Sequence, residues 1–262
     1  MNLVHERFIV KHRVTHEKFL LKIITDEAAE EIKLQVNTEL LALQKCIRNE
    51  GIINLIDYFT NAQGCTYIVT QLPSLNLKDY LQSLSYESFH AWNVAFLLRK
   101  LASILDKMHQ KKVIHRDIRA ENIAVNVSSK ECPSHSKENK TSITASIKLH
   151  ISDFDLAFCF NNEAEEVNQG FNIPGRRFAP EIEATQAHGP PVDVWGLSQI
   201  AHQLLKRLSQ NNQASELPAA VALTQSLDEL AARMAQADPE QRPTMTEVCQ
   251  ALDQLVRIHK RY

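Results

Sequence analysis

The sequence predicts an α+β fold, because strand-like segments near the amino terminus are followed by long helical segments. Residues 8–10 and 18–24 are short runs of β-branched, aromatic and aliphatic residues separated by a polar turn, which is the pattern of two strands. Residues 92–109 carry apolar side chains at intervals of three and four, the pattern of a long helix with one buried face. Together these segments indicate a small, mostly β part followed by a mostly α part.

Other segments extend this pattern. Residues 26–46 are rich in Glu and Leu at helical spacing, and Asp26 is placed to begin a helix. Residues 52–59 and 66–72 predict a β-hairpin around a polar turn. Residues 128–146 are rich in Ser, Thr and Lys and poor in apolar groups, so we expect a flexible insertion between two short strands.

Composition and charge exclude several classes of function. With 262 residues and a formal net charge of −2, the chain has no basic excess that would attract nucleic acid or an anionic membrane. No run approaches the roughly 18 apolar residues of a membrane span, and charged residues stand where a signal peptide needs an apolar core. The five cysteines are odd in number and scattered, which is typical of free thiols in a reducing compartment. We therefore predict a cytoplasmic chain with no nucleic-acid partner and no membrane span.

Two polar motifs contain the residues that predict a chemical function. Residues 115–122 read H-R-D-I-R-A-E-N, and residues 153–155 read D-F-D. An Asp and an Asn five positions apart in a loop can face one phosphate, the Asp reaching an acceptor hydroxyl and the Asn a Mg²⁺ ion. The pair of motifs resembles the H-R-D-x-x-x-x-N catalytic loop and the D-F-G segment of protein kinases. Three further motifs follow in that family's order, namely A-P-E at 179–181, D-V-W at 193–195 and D-P-x-x-R-P at 238–243.

The resemblance implies a bilobal protein-kinase-like fold. One domain would cover residues 1–262, with a small, mostly β N-lobe at about 1–72 and a mostly α C-lobe at about 73–262. The implied activity is the Mg²⁺-dependent transfer of the ATP γ-phosphate to a Ser, Thr or Tyr hydroxyl of a protein. The implied partner is a protein substrate or a protein binding partner.

The resemblance also assigns roles to residues of the two motifs. Asp117 would orient the acceptor hydroxyl, and Arg119 would assist the transferring group. Asn122 and Asp153 would hold Mg²⁺. The Arg two positions after Asp117 is similar to the tyrosine-kinase version of the loop. It favours a tyrosine-kinase-like ancestry, but it does not identify the substrate.

A lysine and a glutamate in the amino-terminal part complete the implied phosphate site. Lys22 ends a run that stands where the family has V-A-I-K, and Glu39 fits the glutamate that pairs with this lysine. Counting back from Lys22, the last glycine of the family's glycine-rich loop falls at His5 and the following Val at Arg7. We therefore expect the first strand and the backbone N–H groups of that loop to be missing, or another segment to supply the cover.

The implied adenine pocket also differs from the family. Thr70 would be the gatekeeper, and Gln71, Leu72 and Pro73 the hinge whose backbone groups bind adenine. Leu20 takes the place of the small alanine of V-A-I-K, and its extra atoms would crowd the base at a cost of roughly 1–3 kcal/mol.

Asp155 replaces the glycine of D-F-G, and this change together with Leu20 and the missing loop leaves alternatives open. The chain could be a catalytically impaired pseudokinase that acts as a scaffold or allosteric partner. It could also transfer another part of the nucleotide, which a fold alone never excludes. The compact size resembles kinase-like effectors of intracellular bacteria or viruses, in which case the cytoplasm would be that of a host cell.

Two ion pairs are expected in the C-lobe. By resemblance, Arg242 of the late motif pairs with Glu181 of A-P-E inside the protein. The segment from Asp153 to Glu181 contains no Ser, Thr or Tyr, so we predict that a glutamate among residues 163–166 pairs with Arg116 in place of a phosphate.

Overall fold

The computed structural model describes residues 6–25, 30–47, 49–84, 89–127, 147–161, 167–171, 173–210 and 218–259. Its amino-terminal part is an antiparallel sheet with one helix, and the remainder is mostly helical. This arrangement confirms the predicted α+β class with two lobes. The insertion predicted at residues 128–146 lies outside the described residues.

The amino-terminal sheet has four antiparallel strands in the order β1-β2-β4-β3. These strands are β1 (Glu6–Lys11), β2 (Lys18–Ile24), β3 (Leu55–Thr60) and β4 (Thr66–Gln71). The register places Arg7 opposite Lys22 and Leu20 opposite Thr70. Because directly opposed residues and residues two apart share one face of a sheet, these four side chains face the same way.

The helix predicted at residues 26–46 is observed as α1 (Glu30–Cys46). Leu40 of this helix packs with Ile24 and Ile68 in a small apolar cluster beneath the sheet. The packing brings the preceding residue, Glu39, beneath the same face of the sheet as Lys22, where both side chains are buried.

The predicted hairpin at 52–72 is shorter than expected at its start. Ile52 and Ile53 leave the sheet, and the Ile53 N–H donates to the carbonyl of Ile151, 2.9 Å away. Both isoleucines are buried in the main core, whereas most of β3 is exposed. Burial of these two side chains therefore outweighs continued strand pairing, and it ties the sheet to the helical part.

The helical part is built around one long central helix. Its elements are β5 (Leu75–Asn76), α2 (Leu77–Ser83), α3 (Ala91–Gln110), β6 (Val113–Ile114), β7 (Ile123–Val127), β8 (Ile147–Ile151), β9 (Phe158–Cys159), α4 (Pro180–Glu183), α5 (Pro191–Ser209), α6 (Pro218–Met234) and α7 (Met245–His259). Helix α3 confirms the prediction at 92–109, and its Leu101, Leu105 and Met108 are fully buried against α5 and α7. No helix within the described ranges is long and apolar enough to cross a membrane.

Helix α5 packs closely against the loop that follows β6. At Gly196 of this helix, a Cβ atom would lie 2.8 Å from the Cβ of Ile118 and 2.9 Å from its carbonyl oxygen. A glycine is therefore required here by the approach of a neighbouring backbone.

The ion pair predicted between Arg242 and Glu181 is present. The guanidinium donates to both carboxylate oxygens of Glu181 at 2.6 and 2.8 Å, and both residues are buried. It also donates to the carbonyls of Pro191, Gln236 and Ala237. One side chain therefore joins α4, the start of α5 and the loop before α7.

We expect Arg242→Ala to lower the free energy of unfolding by about 3–5 kcal/mol, because Glu181 would be left buried and unpaired. The matched control is Arg99→Ala, which breaks the half-exposed ion pair with Asp253 and should cost less than about 1 kcal/mol. Urea denaturation of the two variants measures the difference. Equal losses would contradict a dominant role for the buried pair.

Gly196→Ala should destabilise the protein by about 1–3 kcal/mol, since the new methyl group meets the backbone of Ile118. The direction of the change in stability is informative, because Gly→Ala inside a helix ordinarily stabilises the protein by about 1 kcal/mol. Gly189→Ala is the control, as its nearest atom would be 4.0 Å away. Thermal unfolding of both variants tests this, and a more stable Gly196→Ala protein would show that α5 can move away from the loop.

Candidate active site

The loop at residues 115–122 is held by one buried carboxylate, that of Asp193 in the first turn of α5. Asp193 accepts hydrogen bonds from the backbone N–H groups of His115 and Arg116 at 2.9 and 2.8 Å, and His109 Nε2 lies 2.9 Å from it. Arg116 has φ of 66°, a left-handed conformation that costs a non-glycine residue energy. Burial alone would raise the pKa of Asp193, but the hydrogen bond and charge of His109 outweigh it and the pKa is lowered. The ionised carboxylate therefore fixes the strained loop.

Asp117 sits in this loop as a buried carboxylate with two donors. Asn122 Nδ2 donates to its backbone oxygen at 2.9 Å and to Oδ2 at 2.8 Å. Arg176 Nη1 also donates to Oδ2, at 2.7 Å. Burial raises the pKa of Asp117, and the charge of Arg176 opposes that shift. The predicted spacing of Asp117 and Asn122 thus brings them into direct contact.

The structure places Arg119 against a neighbouring carboxylate. Arg119 Nε donates to Glu121 Oε2 at 2.9 Å, and this contact lowers the pKa of Glu121 to about 2. The guanidinium that donates to Asp117 is that of Arg176, which follows the left-handed Gly175. The role expected for Arg119 stays a prediction.

The segment that begins at Ser152 contacts the loop at residues 115–122 directly. The Ser152 backbone N–H and hydroxyl both donate to the carbonyl of Asn122, at 2.9 and 3.0 Å. His115 Nε2 lies 3.1 Å from the Ser152 carbonyl, and its ring packs edge-on against Phe154. Asp153 adopts φ of 64°, a second left-handed residue at the site. The structure therefore places the two predicted metal ligands, Asn122 and Asp153, on two segments that contact each other.

Five charged residues form a cluster between the sheet and this segment. Lys22 Nζ donates to Glu39 Oε2 at 2.6 Å, as predicted, and also to Asp155. Arg7 Nη2 donates to Asp153 Oδ1 and to Asp155 Oδ2, both at 2.8 Å. Sequence analysis assigned no role to Arg7, because its partners lie far away along the chain.

The cluster changes the pKa of its members. Burial alone would lower the pKa of Lys22, but the carboxylates of Glu39 and Asp155 outweigh it and the pKa is raised. Burial raises the pKa of Glu39 to about 7; Lys22 opposes this shift and Asp155 adds to it. Burial is therefore the main cause of the raised pKa of Glu39, and the neighbouring carboxylate of Asp155 adds to it.

A cavity of about 340 Å³ opens beside the cluster. Its lining includes the predicted residues Leu20, Lys22, Glu39, Thr70, Gln71, Asn122 and Asp153. Pro73 lines the cavity rather than Leu72, and it has no backbone N–H. The N–H of Gln71 donates to the carbonyl of Asn54 at 3.0 Å. Of the predicted hinge residues, Gln71 therefore has its N–H engaged within the protein.

Arg116 is buried among aromatic rings and backbone carbonyls. It donates to the carbonyls of Leu156 and Ala157 and to Gln169 Oε1, and its guanidinium lies 4.8 Å from the centre of the Phe171 ring. Its Nη1 has no hydrogen-bond partner within the described ranges. The glutamates predicted to pair with Arg116, at residues 163–166, lie outside the described residues.

A two-lobed α+β fold, with a lysine–glutamate pair at a cavity and an aspartate hydrogen-bonded to an asparagine in a nearby loop, is the arrangement of the kinase class. The description of the matching family model is protein kinase domain, and the match covers residues 6–252. The chain belongs to the protein kinase domain family.

The chain is also similar to named protein kinases. It is 27% identical over 190 residues to a calcium/calmodulin-dependent protein kinase of Emericella nidulans, covering 72% of this chain and 41% of that protein. It is 25% identical over 195 residues to a probable myosin light chain kinase of Dictyostelium discoideum, covering 74% and 45%. The chain thus spans less than half the length of these two relatives. The tyrosine-kinase-like character of its loop stays a prediction.

We expect the free energy of unfolding to fall as pH rises from about 4.5 to about 7 because of Glu39. Its pKa of about 7 in the folded state exceeds its ordinary 4.5, so the native state binds more protons between these values. Glu39→Gln should remove this contribution. Urea denaturation at pH 5 and pH 7.5 should show wild type losing stability relative to Glu39→Gln as pH rises.

The matched control is Glu50→Gln, which changes an exposed glutamate. Its stability difference from wild type should stay constant between the two pH values. If wild type instead gained stability over Glu39→Gln as pH rises, the pKa of Glu39 would be lowered by Lys22 rather than raised.

Proposed function

We propose that this protein is an ATP- and Mg²⁺-dependent protein kinase. The observation that supports the proposal best is that Lys22, Glu39, Asn122 and Asp153 line one cavity, with Asp117 hydrogen-bonded to Asn122 at its edge. Phosphoryl transfer needs positioning and charge stabilisation more than covalent chemistry, and this set supplies both. The first 72 residues would form the N-lobe.

Asp117 would orient the acceptor hydroxyl. Both of its side-chain donors within the described part of the chain use Oδ2, which leaves Oδ1 to accept a hydrogen bond from a hydroxyl. Asn122 and Arg176 hold the buried carboxylate in place. Arg176 is a positioning residue in this arrangement.

Lys22 would bind the phosphates, with Glu39 holding its ammonium group in position. The side-chain oxygens of Asn122 and Asp153 suit Mg²⁺, a hard cation that prefers oxygen ligands. Asn122 suits a metal ion because its Nδ2 donates to Asp117, which leaves its side-chain oxygen to bind the cation. The metal would neutralise charge on the phosphates.

The substrate would be a protein hydroxyl, since the relatives are named as protein kinases. A cytoplasmic location would agree with free cysteines, and four cysteines of the described part of the chain are unpaired with each other.

A pseudokinase role is the second candidate, favoured by one observation. Arg7 donates to Oδ1 of Asp153, so a metal ion at that oxygen would have to displace the guanidinium.

Two variants test the proposed activity. Asp117→Asn should reduce phosphate transfer from ATP by a factor of about 10²–10⁴, because the oriented carboxylate is lost. Lys22→Ala should remove the rise in melting temperature produced by Mg²⁺-ATP. In wild type, ATP at about 100 times Kd adds roughly 2.7 kcal/mol, a shift of several degrees.

Lys18→Ala is the matched control, because Lys18 lies on the same strand but is exposed. It should leave both the shift and the transfer unchanged. A wild-type protein that binds Mg²⁺-ATP but transfers no phosphate to added proteins or to itself would support the pseudokinase. Transfer that survives Asp117→Asn would exclude the mechanism.

A further inference from the structure

Arg7 and Lys22 form a pair of cations on one face of the sheet. They are directly opposite in the antiparallel register of β1 and β2, and both line the cavity. Like charges that face each other across two strands are destabilising unless an anion lies between them. The pair therefore creates a site for an anion.

Asp155 supplies that anion in this structure. One carboxylate oxygen of Asp155 accepts from Lys22 and the other accepts from Arg7. A carboxylate that divides its two oxygens between two cations is bound as a phosphate group would be. A guanidinium suits such an anion because its N–H groups form a planar fork.

The position of Arg7 is a second reason to expect a phosphate group at this site. Its Nη2 also contacts Asp153, so the guanidinium lies where the metal-binding carboxylate and the Lys22 site meet. No glycine precedes Lys22 in the sequence, so residues 6–21 offer no glycine-rich backbone to surround phosphates. A charged side chain on β1 is the group that these residues do offer.

We propose that Arg7 binds the phosphates of the nucleotide together with Lys22, and that Asp155 is an internal anion which the phosphates displace. The proposal rests on the proposed function, since it names a further ligand of the same nucleotide. Arg7 is attached to a strand that pairs with β2, so it needs only a change of side-chain conformation to exchange partners. When it turns to a phosphate, it leaves Asp153 available to bind a cation.

The experiment measures ATP binding by calorimetry in EDTA, where no metal can bridge protein and phosphate. Arg7→Gln should weaken binding by about tenfold or more, because one of the two phosphate-binding cations is lost. Asp155→Asn should tighten binding, since the competing anion is neutralised. Arg7→Lys should restore part of the affinity lost in Arg7→Gln.

Lys11→Gln is the matched control, because Lys11 lies on the same strand and is exposed away from the cavity lining. It removes the same charge and should leave the dissociation constant unchanged. Melting temperatures without ligand show whether each variant is folded. Arg7 is 40% exposed, so its replacement should leave the core intact.

The outcomes separate this proposal from the proposed function. If Arg7→Gln binds ATP as tightly as wild type or more tightly, Arg7 pairs with Asp153 and does not bind phosphate. The inference is then wrong, while the kinase assignment stands. If wild type binds ATP neither in EDTA nor with Mg²⁺, both proposals are overturned. Weaker binding in Arg7→Gln with unchanged binding in Lys11→Gln supports the phosphate role.

Discussion

The carboxylate of Asp193 is the constraint on which the site depends. It accepts hydrogen bonds from two consecutive N–H groups, and the second belongs to Arg116 in a left-handed conformation. Strain of this kind costs of order 1–3 kcal/mol and persists only where the surroundings impose it. Because Asp193 lies in the first turn of α5, the position of Asp117 follows from the packing of a buried helix rather than from its own loop.

Asp117 and Asp153 are each paired with an arginine. Arg176 donates to Asp117, and Arg7 donates to Asp153. Pairing offsets the cost of burying the carboxylate of Asp117, since an isolated charge would be costly to bury. In both pairs the arginine contacts one carboxylate oxygen, Oδ2 of Asp117 and Oδ1 of Asp153, so a ligand that binds the contacted oxygen has to displace the arginine.

Much of the fold could be predicted from the sequence, because periodicity reports on local structure. The strand at 18–24 and the helix at 92–109 are examples. The Lys22–Glu39 contact was expected from the resemblance to protein kinases, and the structure contains it. Arg7 could not be predicted in its role, since its partner Asp153 lies 146 positions away and no local pattern joins them. Arg119 has a local partner, Glu121, and the role expected for Arg119 in the transfer stays a prediction.

The charge cluster around Lys22 is rich in carboxylates. Glu39 and Asp155 both contact Lys22, and burial together with the charge of Asp155 raises the pKa of Glu39. A nucleotide alone would add further negative charge, so phosphates can enter only by displacing a carboxylate or with a cation. Asp155, at the position of the family's glycine, is the anion that Lys22 and Arg7 share in this structure. If phosphates displace it as we propose, nucleotide binding is an exchange of anions rather than an addition.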